Sequence, residues 1–280
     1  MPIDIADVKR IVREAGQLAL LYYGKVSRSV KADLSVVTEA DGSIEDFLRM
    51  SLAMLAPDYG YIGEETEESK APVPGETRSW VVDALDGSRA FAAKIPIWTP
   101  AVCLLDGGRA LAGAAINPVT NELFWADEHG AAFCNDEPLQ PRYPTALEPN
   151  SIILGPTNYH RLFEIDFPGR IYCLGAPIYQ LCLVAKGSAS AMFFDPSVNL
   201  WDLALPSLLL ERAGGILVYA SGRPVDVSEL LDRRKVSEPI FAGGREMVEI
   251  IRGRFPLSAA NETPRAVAEP DAHTVPSSRR

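Results

Sequence analysis

At 280 residues, 47% of them hydrophobic, the chain is long enough for two domains or one large layered one, and its core material excludes disorder of the whole. The 27 lysines and arginines against 37 aspartates and glutamates leave a net charge of −10, the wrong sign for holding a nucleic-acid backbone by counterion release. A protein this acidic binds an anionic ligand only where a cation or a cluster of backbone N–H groups reverses the local field, which points to a metal.

The N-terminus MPIDIADVKR is charged and periodic rather than basic and then apolar, and no apolar run reaches the ~18 residues of a bilayer span. A cytoplasmic location without membrane contact is therefore expected. Ile5, Val8, Ile11, Val12, Ala15, Leu18, Ala19 and Tyr22 recur at three- and four-residue spacing and predict an amphipathic helix ending near Gly24. A second helix is predicted from about Ser43 to Leu55, with Pro57 just beyond it. From Tyr61 the pattern changes to short apolar runs, YIGEE, SWVVDALDG, WTPAVCLLDGG, ALAGAAINP and ELFWADE, which read as strands, several in hairpins. Four prolines between Glu137 and Pro149 suggest a domain boundary, giving units 1–147 and 148–255.

In the second unit SIILGPT, RIYCLGA and SAMFFDP read as strands and IYQLCLVAKG as a helix. WDLALPSLLLERAGG reads as a helix capped by Gly214 and Gly215. Alternation of this kind favours a mixed or parallel sheet covered by helices, an α/β layer. Residues 256–280, without hydrophobic period, read as a disordered tail. Cys103, Cys134, Cys173 and Cys182 show no C-x-x-C spacing and read as isolated buried thiols. The three histidines adjoin no motif.

Chemistry concentrates in the acids. Asp83 follows the apolar run Trp80-Val81-Val82, where a strand leaves its sheet, and Asp86 follows in the turn. Mg²⁺ takes oxygen ligands, and two carboxylates so close in sequence suit it. Gly87 lets backbone approach a ligand, and the helix expected at Ser88 would turn its first free N–H groups towards an anion. Alone, Asp-x-x-Asp-Gly-Ser is as much a capped turn as a site. Glu64-Glu65 after Tyr61-Ile62-Gly63 reads alone as a solvated loop, and Asp202 alone as a helix-start acid. Their conjunction makes the case for a site.

The ordered set Gly63-Glu64-Glu65, WVVDALDGS at 80–88 with Phe91, and WDLA at 201–204 followed by Glu211-Arg212-Ala213-Gly214-Gly215 resembles the inositol monophosphatase family. The resemblance extends to LSVVTEAD at 34–41, similar to the family's segment between its first two helices, and to a hairpin at 113–139, so it covers nearly all of 1–255. It implies a layered αβαβα sandwich of the inositol monophosphatase and fructose-1,6-bisphosphatase type, a homodimer, and a hydrolase of small phosphomonoesters. It further implies two to three Mg²⁺ ions. Glu64, Asp83 and the Leu85 carbonyl would hold one, Asp83, Asp86 and Asp202 a second, and Glu64 with waters a weaker third. Gly87 and Ser88 would offer N–H groups to phosphate, and Ser88 with Asp41 would orient the attacking water.

Three positions depart from the pattern. Ala84 stands where the family usually has Pro, Ser88 where it has Thr, and Leu203-Ala204-Leu205-Pro206 where it has Ala-Ala-Gly. Arg89-Ala90-Phe91, Ile95-Pro96-Ile97-Trp98 and Asp195-Pro196 resemble the family's histidinol-phosphate members. Asp195 equally matches the acid that inositol phosphatases set against substrate hydroxyls. The expected substrate is inositol 1-phosphate, with histidinol phosphate as the alternative. A weakly catalytic member that binds a phosphorylated metabolite is the reading from another class.

Overall fold

The computed structural model describes residues 3–26, 28–30, 36–66, 69–71, 74–233, 236 and 238–256. From residue 257 the expected tail lies outside them, as does His273.

Helix α1 (Ile5–Tyr22) starts where the Asp4 side chain accepts the Ala6 N–H and buries Val8, Ile11, Val12, Ala15 and Ala19 along one stripe. A short antiparallel pair, β1 (Arg28–Val30) and β2 (Val36–Thr38), leads into α2 (Glu39–Leu55). This second helix begins four residues before the predicted Ser43. The cause is a capping box: Thr38 accepts the Ala40 N–H through its hydroxyl oxygen, and Asp41 reaches back to the Thr38 N–H and hydroxyl, both at 2.7 Å. Asp41 thus belongs to the first turn of α2, not to the link before it.

Seven strands then form one sheet in sequence order: β3 (Gly60–Gly63), β4 (Arg78–Asp86), β5 (Thr99–Asp106), β6 (Arg109–Asn117), β7 (Glu122–Ala126), β8 (Ala132–Cys134) and β9 (Glu137–Pro138). Only β3 and β4 are parallel; the rest is a meander. One turn of helix, α3 (Ser88–Ala92), separates β4 from β5. A second sheet follows from β10 (Ile152–Leu154), β11 (Arg170–Tyr172), β12 (Ala191–Phe194), β13 (Ile216–Tyr219) and β14 (Ile240–Gly243), in the mixed order β11-β10-β12-β14-β13. Its helices are α4 (Tyr159–Leu162), α5 (Pro177–Lys186), α6 (Leu200–Arg212) and α7 (Arg245–Arg252).

Side-chain alternation on the strands assigns the layers. Val82, Val102 and Leu104 pack with α1 and α2, whereas Val81, Ala101, Cys103 and Leu105 pack with α5 and α6. Leu154, Met192, Phe194 and Ala242 of the second sheet cover the other side of that helical pair, and its outer face, Ile153, Phe193 and Phe241, packs on Met247, Val248 and Ile251 of α7. The result is the expected αβαβα sandwich. Pro206 falls inside α6, which runs on unbroken to Arg212. Lacking an N–H, it leaves the Asp202 carbonyl without its i+4 helical donor.

Candidate active site

Strand β4 delivers two of the carboxylates. It was expected to leave the sheet at Asp83, but it stays paired through Asp86. A register shift against β5 between Asp83↔Ala101 and Asp86↔Thr99 inserts one extra residue. Such a bulge re-aims side chains, and both acids are buried, each 3% exposed. Asp202 arrives from the middle layer as the third residue of α6, where its Oδ2 accepts the Asn199 N–H at 2.7 Å. One carboxylate oxygen from each of Asp83, Asp86 and Asp202 lies within 4.8 Å of the others.

Burial dominates this triad, and repulsion from neighbouring acids adds to it. Burial, then the charges of Glu64, Asp86 and Asp202, raise the Asp83 carboxyl well above its ordinary range, against one N–H bond from Leu85. Burial likewise raises Asp86, opposed by the N–H groups of Tyr179 and Ile178 in the first turn of α5. Burial pushes Asp202 to about 6 despite its bonds from Asn199, with Asp195 adding to the rise. Among the described residues, no Lys or Arg is a cause of these shifts. A buried all-oxygen cluster of three carboxylates is the donor set a hard divalent cation takes, so the residues present fit Mg²⁺.

The remaining expected residues surround the triad. Glu64 directly follows β3 and bears electrostatically on Asp83. The Ser88 hydroxyl donates to Asp41 Oδ1 at 2.7 Å and lies 3.0 Å from the Leu85 carbonyl. Gly87 adopts φ +88°, and a Cβ there would stand 2.7 Å from the Ile97 carbonyl, so only glycine fits. Asp195 lines a cavity of about 280 Å³ together with Arg89, Asn158, Gly175 and Pro177, and one of its oxygens holds the Ser197 N–H. A larger cavity of about 640 Å³, between the β5–β6 turn and α7, contains none of these residues.

Three participants escaped the sequence reading. Thr38 holds Asp41, and its T-x-x-D spacing was a legible cap signal. The α5 N-terminus holds Asp86, which Pro177 at the first helical position hints at only as a helix start. Glu45, only 3% exposed on α2, accepts the Glu65 N–H at 2.7 Å and the Thr66 hydroxyl, and no local pattern announces it. His129 and His160 take no part in the described acidic cluster. Cys173 is half-buried rather than buried like the other three thiols. No helix among the described residues is long and apolar enough to cross a membrane.

Comparison with known proteins agrees with this architecture. A histidinol-phosphatase of Chlorobaculum parvum is 28% identical over 263 residues, covering 90% of this chain and 97% of its own. An inositol-1-monophosphatase of Rhizobium meliloti is 31% identical over 236 residues, covering 79% and 87%. Among solved structures, the extragenic suppressor protein SuhB of Bartonella henselae superposes with a TM-score of 0.76 at 25% identity, covering 87% of this chain and 95% of that one. A Thermotoga maritima IMPase gives 0.74 at 20% identity and so speaks for the fold, over 88% and 93%. The sequence profile of the inositol monophosphatase family matches from residue 2 to residue 239, and the chain belongs to that family of phosphatases.

Proposed function

We propose that the chain is a Mg²⁺-dependent phosphomonoesterase for a small phosphorylated alcohol. The observation that carries this is the buried triad Asp83, Asp86 and Asp202 next to the bonded pair Ser88 and Asp41. Asp83, Asp86 and Asp202, with Glu64 and the Leu85 carbonyl, would hold two to three ions. When bound, Mg²⁺ supplies charge neutralisation for phosphate and lowers the pKa of water. The protein's own groups do the positioning. With its proton committed to Asp41, Ser88 Oγ retains lone pairs with which to accept from a water and aim it. Thr38 keeps Asp41 in place by two bonds to its other oxygen. Gly87 and Ser88 would offer their backbone N–H groups to the phosphate.

The substrate reading is inositol 1-phosphate, with the Asp195 carboxylate accepting hydroxyl groups at the cavity wall. A specific observation favours a second reading, histidinol phosphate: Arg89-Ala90-Phe91, Ile95-Pro96-Ile97-Trp98 and Asp195-Pro196 have that version's form, and an amine would pair with the same carboxylate. Phosphate release from inositol 1-phosphate, histidinol phosphate, fructose bisphosphate and phosphoadenosine phosphate, with and without Mg²⁺, tests both. No release from any of them, or turnover that survives Asp83→Asn, overturns the enzyme reading. Tight metabolite binding without turnover would instead support a binding protein. The homodimer is tested by sedimentation.

A further inference from the structure

We propose that Arg233, in the loop after the 3-10 turn Val227–Leu230, is a positioning residue that sets the backbone carrying Glu64 for cation binding. The inference rests on the proposed reading of Glu64 as a ligand. Its Nη2 donates to the Gly63 carbonyl at 2.8 Å and to the Thr66 carbonyl, the residues that bracket Glu64 and Glu65. Its Nε donates to Ser69 Oγ at 3.2 Å. Its guanidinium carbon also stands 5.5 Å from the centre of the Trp201 ring, one residue before Asp202. One side chain therefore touches both the β3 exit and the start of α6, segments that share no sheet. Residue 233 itself sits at φ +60°, a conformation a side-chain-bearing residue rarely adopts.

The opposite side of the same loop is held by Glu45, whose carboxylate takes the Glu65 N–H and the Thr66 hydroxyl. At Gly63 a Cβ would run into that carboxylate and the Tyr61 ring, so the loop has no room to shift towards α2. Residues 63–66 thus lie between a buried acid and a planar cation. Arg233 and Glu45 both grip main-chain atoms, and so they fix where position 64 points whatever its own rotamer. Arginine suits the task because its rigid fork reaches two carbonyls while its face stacks; lysine offers one point charge. Groups that orient metal ligands in this way typically change metal affinity tenfold to a hundredfold when removed.

The test is a titration of metal-free protein with Mn²⁺, free ion being counted by electron paramagnetic resonance, alongside amide hydrogen exchange over residues 64–66. Arg233→Met is expected to weaken Mn²⁺ binding about tenfold or more and to speed exchange at 64–66 before metal is added, with Arg233→Lys in between. Arg223→Met, which loses an exposed pair with Glu229 and a stack on the Tyr219 ring and touches none of residues 63–66, should match wild type. If wild type binds no Mn²⁺, the metal reading itself falls. If wild type binds and Arg233→Met binds equally well while melting earlier, Arg233 is merely structural and this inference alone falls. Should Arg233→Met not fold, an unchanged constant in Arg233→Lys overturns the proposal equally.

Discussion

Three aspartates enclosed away from water repel one another far more strongly than they do in solution, because a lower local dielectric multiplies every charge interaction. Asp83, Asp86 and Asp202 therefore weaken the metal-free fold, and neutralising one should strengthen it. Asp83→Asn is expected to stabilise the metal-free protein by about 1–2 kcal/mol and to abolish any rise in melting temperature on adding Mg²⁺; scanning calorimetry with and without chelator reads both. At Ser88 the hydroxyl to Asp41 is the relevant group. Ser88→Ala should lower kcat by about 10²-fold or more with little loss of stability. Ser88→Thr should keep or raise kcat, since the added methyl restricts the rotamer. The acids were legible because Asp, Gly and Glu fell at the ends of apolar runs. Glu45 and Arg233 were not, since a residue that acts on another segment's backbone leaves no mark in its own neighbourhood.

Helix α5 shows how an element can serve the site without supplying a ligand. Its first turn gives the Tyr179 N–H to Asp86 at 3.0 Å, while the Tyr179 hydroxyl and Lys186 both hold Glu122 of β7. Burial pushes the Glu122 carboxyl up, but the bonds from Lys186, Tyr179 and Thr120 outweigh it and leave it below its ordinary value. A lowered carboxylate pKa contributes stability that is present above the unfolded value and is lost as pH falls through the folded one. Glu122→Gln should thus cost about 0.5–1 kcal/mol near neutral pH, screened by solvent as such partly exposed pairs are, and the gap should close below about pH 4.3. Melting curves of both proteins from pH 3 to 7 check it. The strand runs SWVVDAL and TPAVCLL were readable as strands. Their facing was not: helices cover both sides, so alternate positions are all apolar and the period-2 signal vanishes. The start of α2 was misread because Gly42 interrupts the helical pattern while the cap lies before it.

Across the whole molecule the acids come from the first sheet and from the middle helical layer, so any cation bound there favours the folded chain over the unfolded one. Mg²⁺ should raise the melting temperature in proportion to the logarithm of its concentration once above the dissociation constant, and chelation should reverse the rise. A melting temperature indifferent to Mg²⁺ would contradict the site. The α/β layer of the second unit was legible in its alternating strand and helix runs, and the sandwich as a whole followed from the resemblance that the motifs carry. What no motif conveys is the order of assembly. The bond between Tyr179 and Asp86 joins residues 93 apart in sequence, and Asp202 is made later still. During synthesis the meander and its two outer helices would emerge with Asp83 and Asp86 already in place but with neither the α5 N–H groups nor the third acid to complete the cluster. An ion that takes Asp202 as a ligand can therefore reward only the finished fold. It selects the last docking event instead of seeding the first, and a chain cut short before α6 would gain nothing from it.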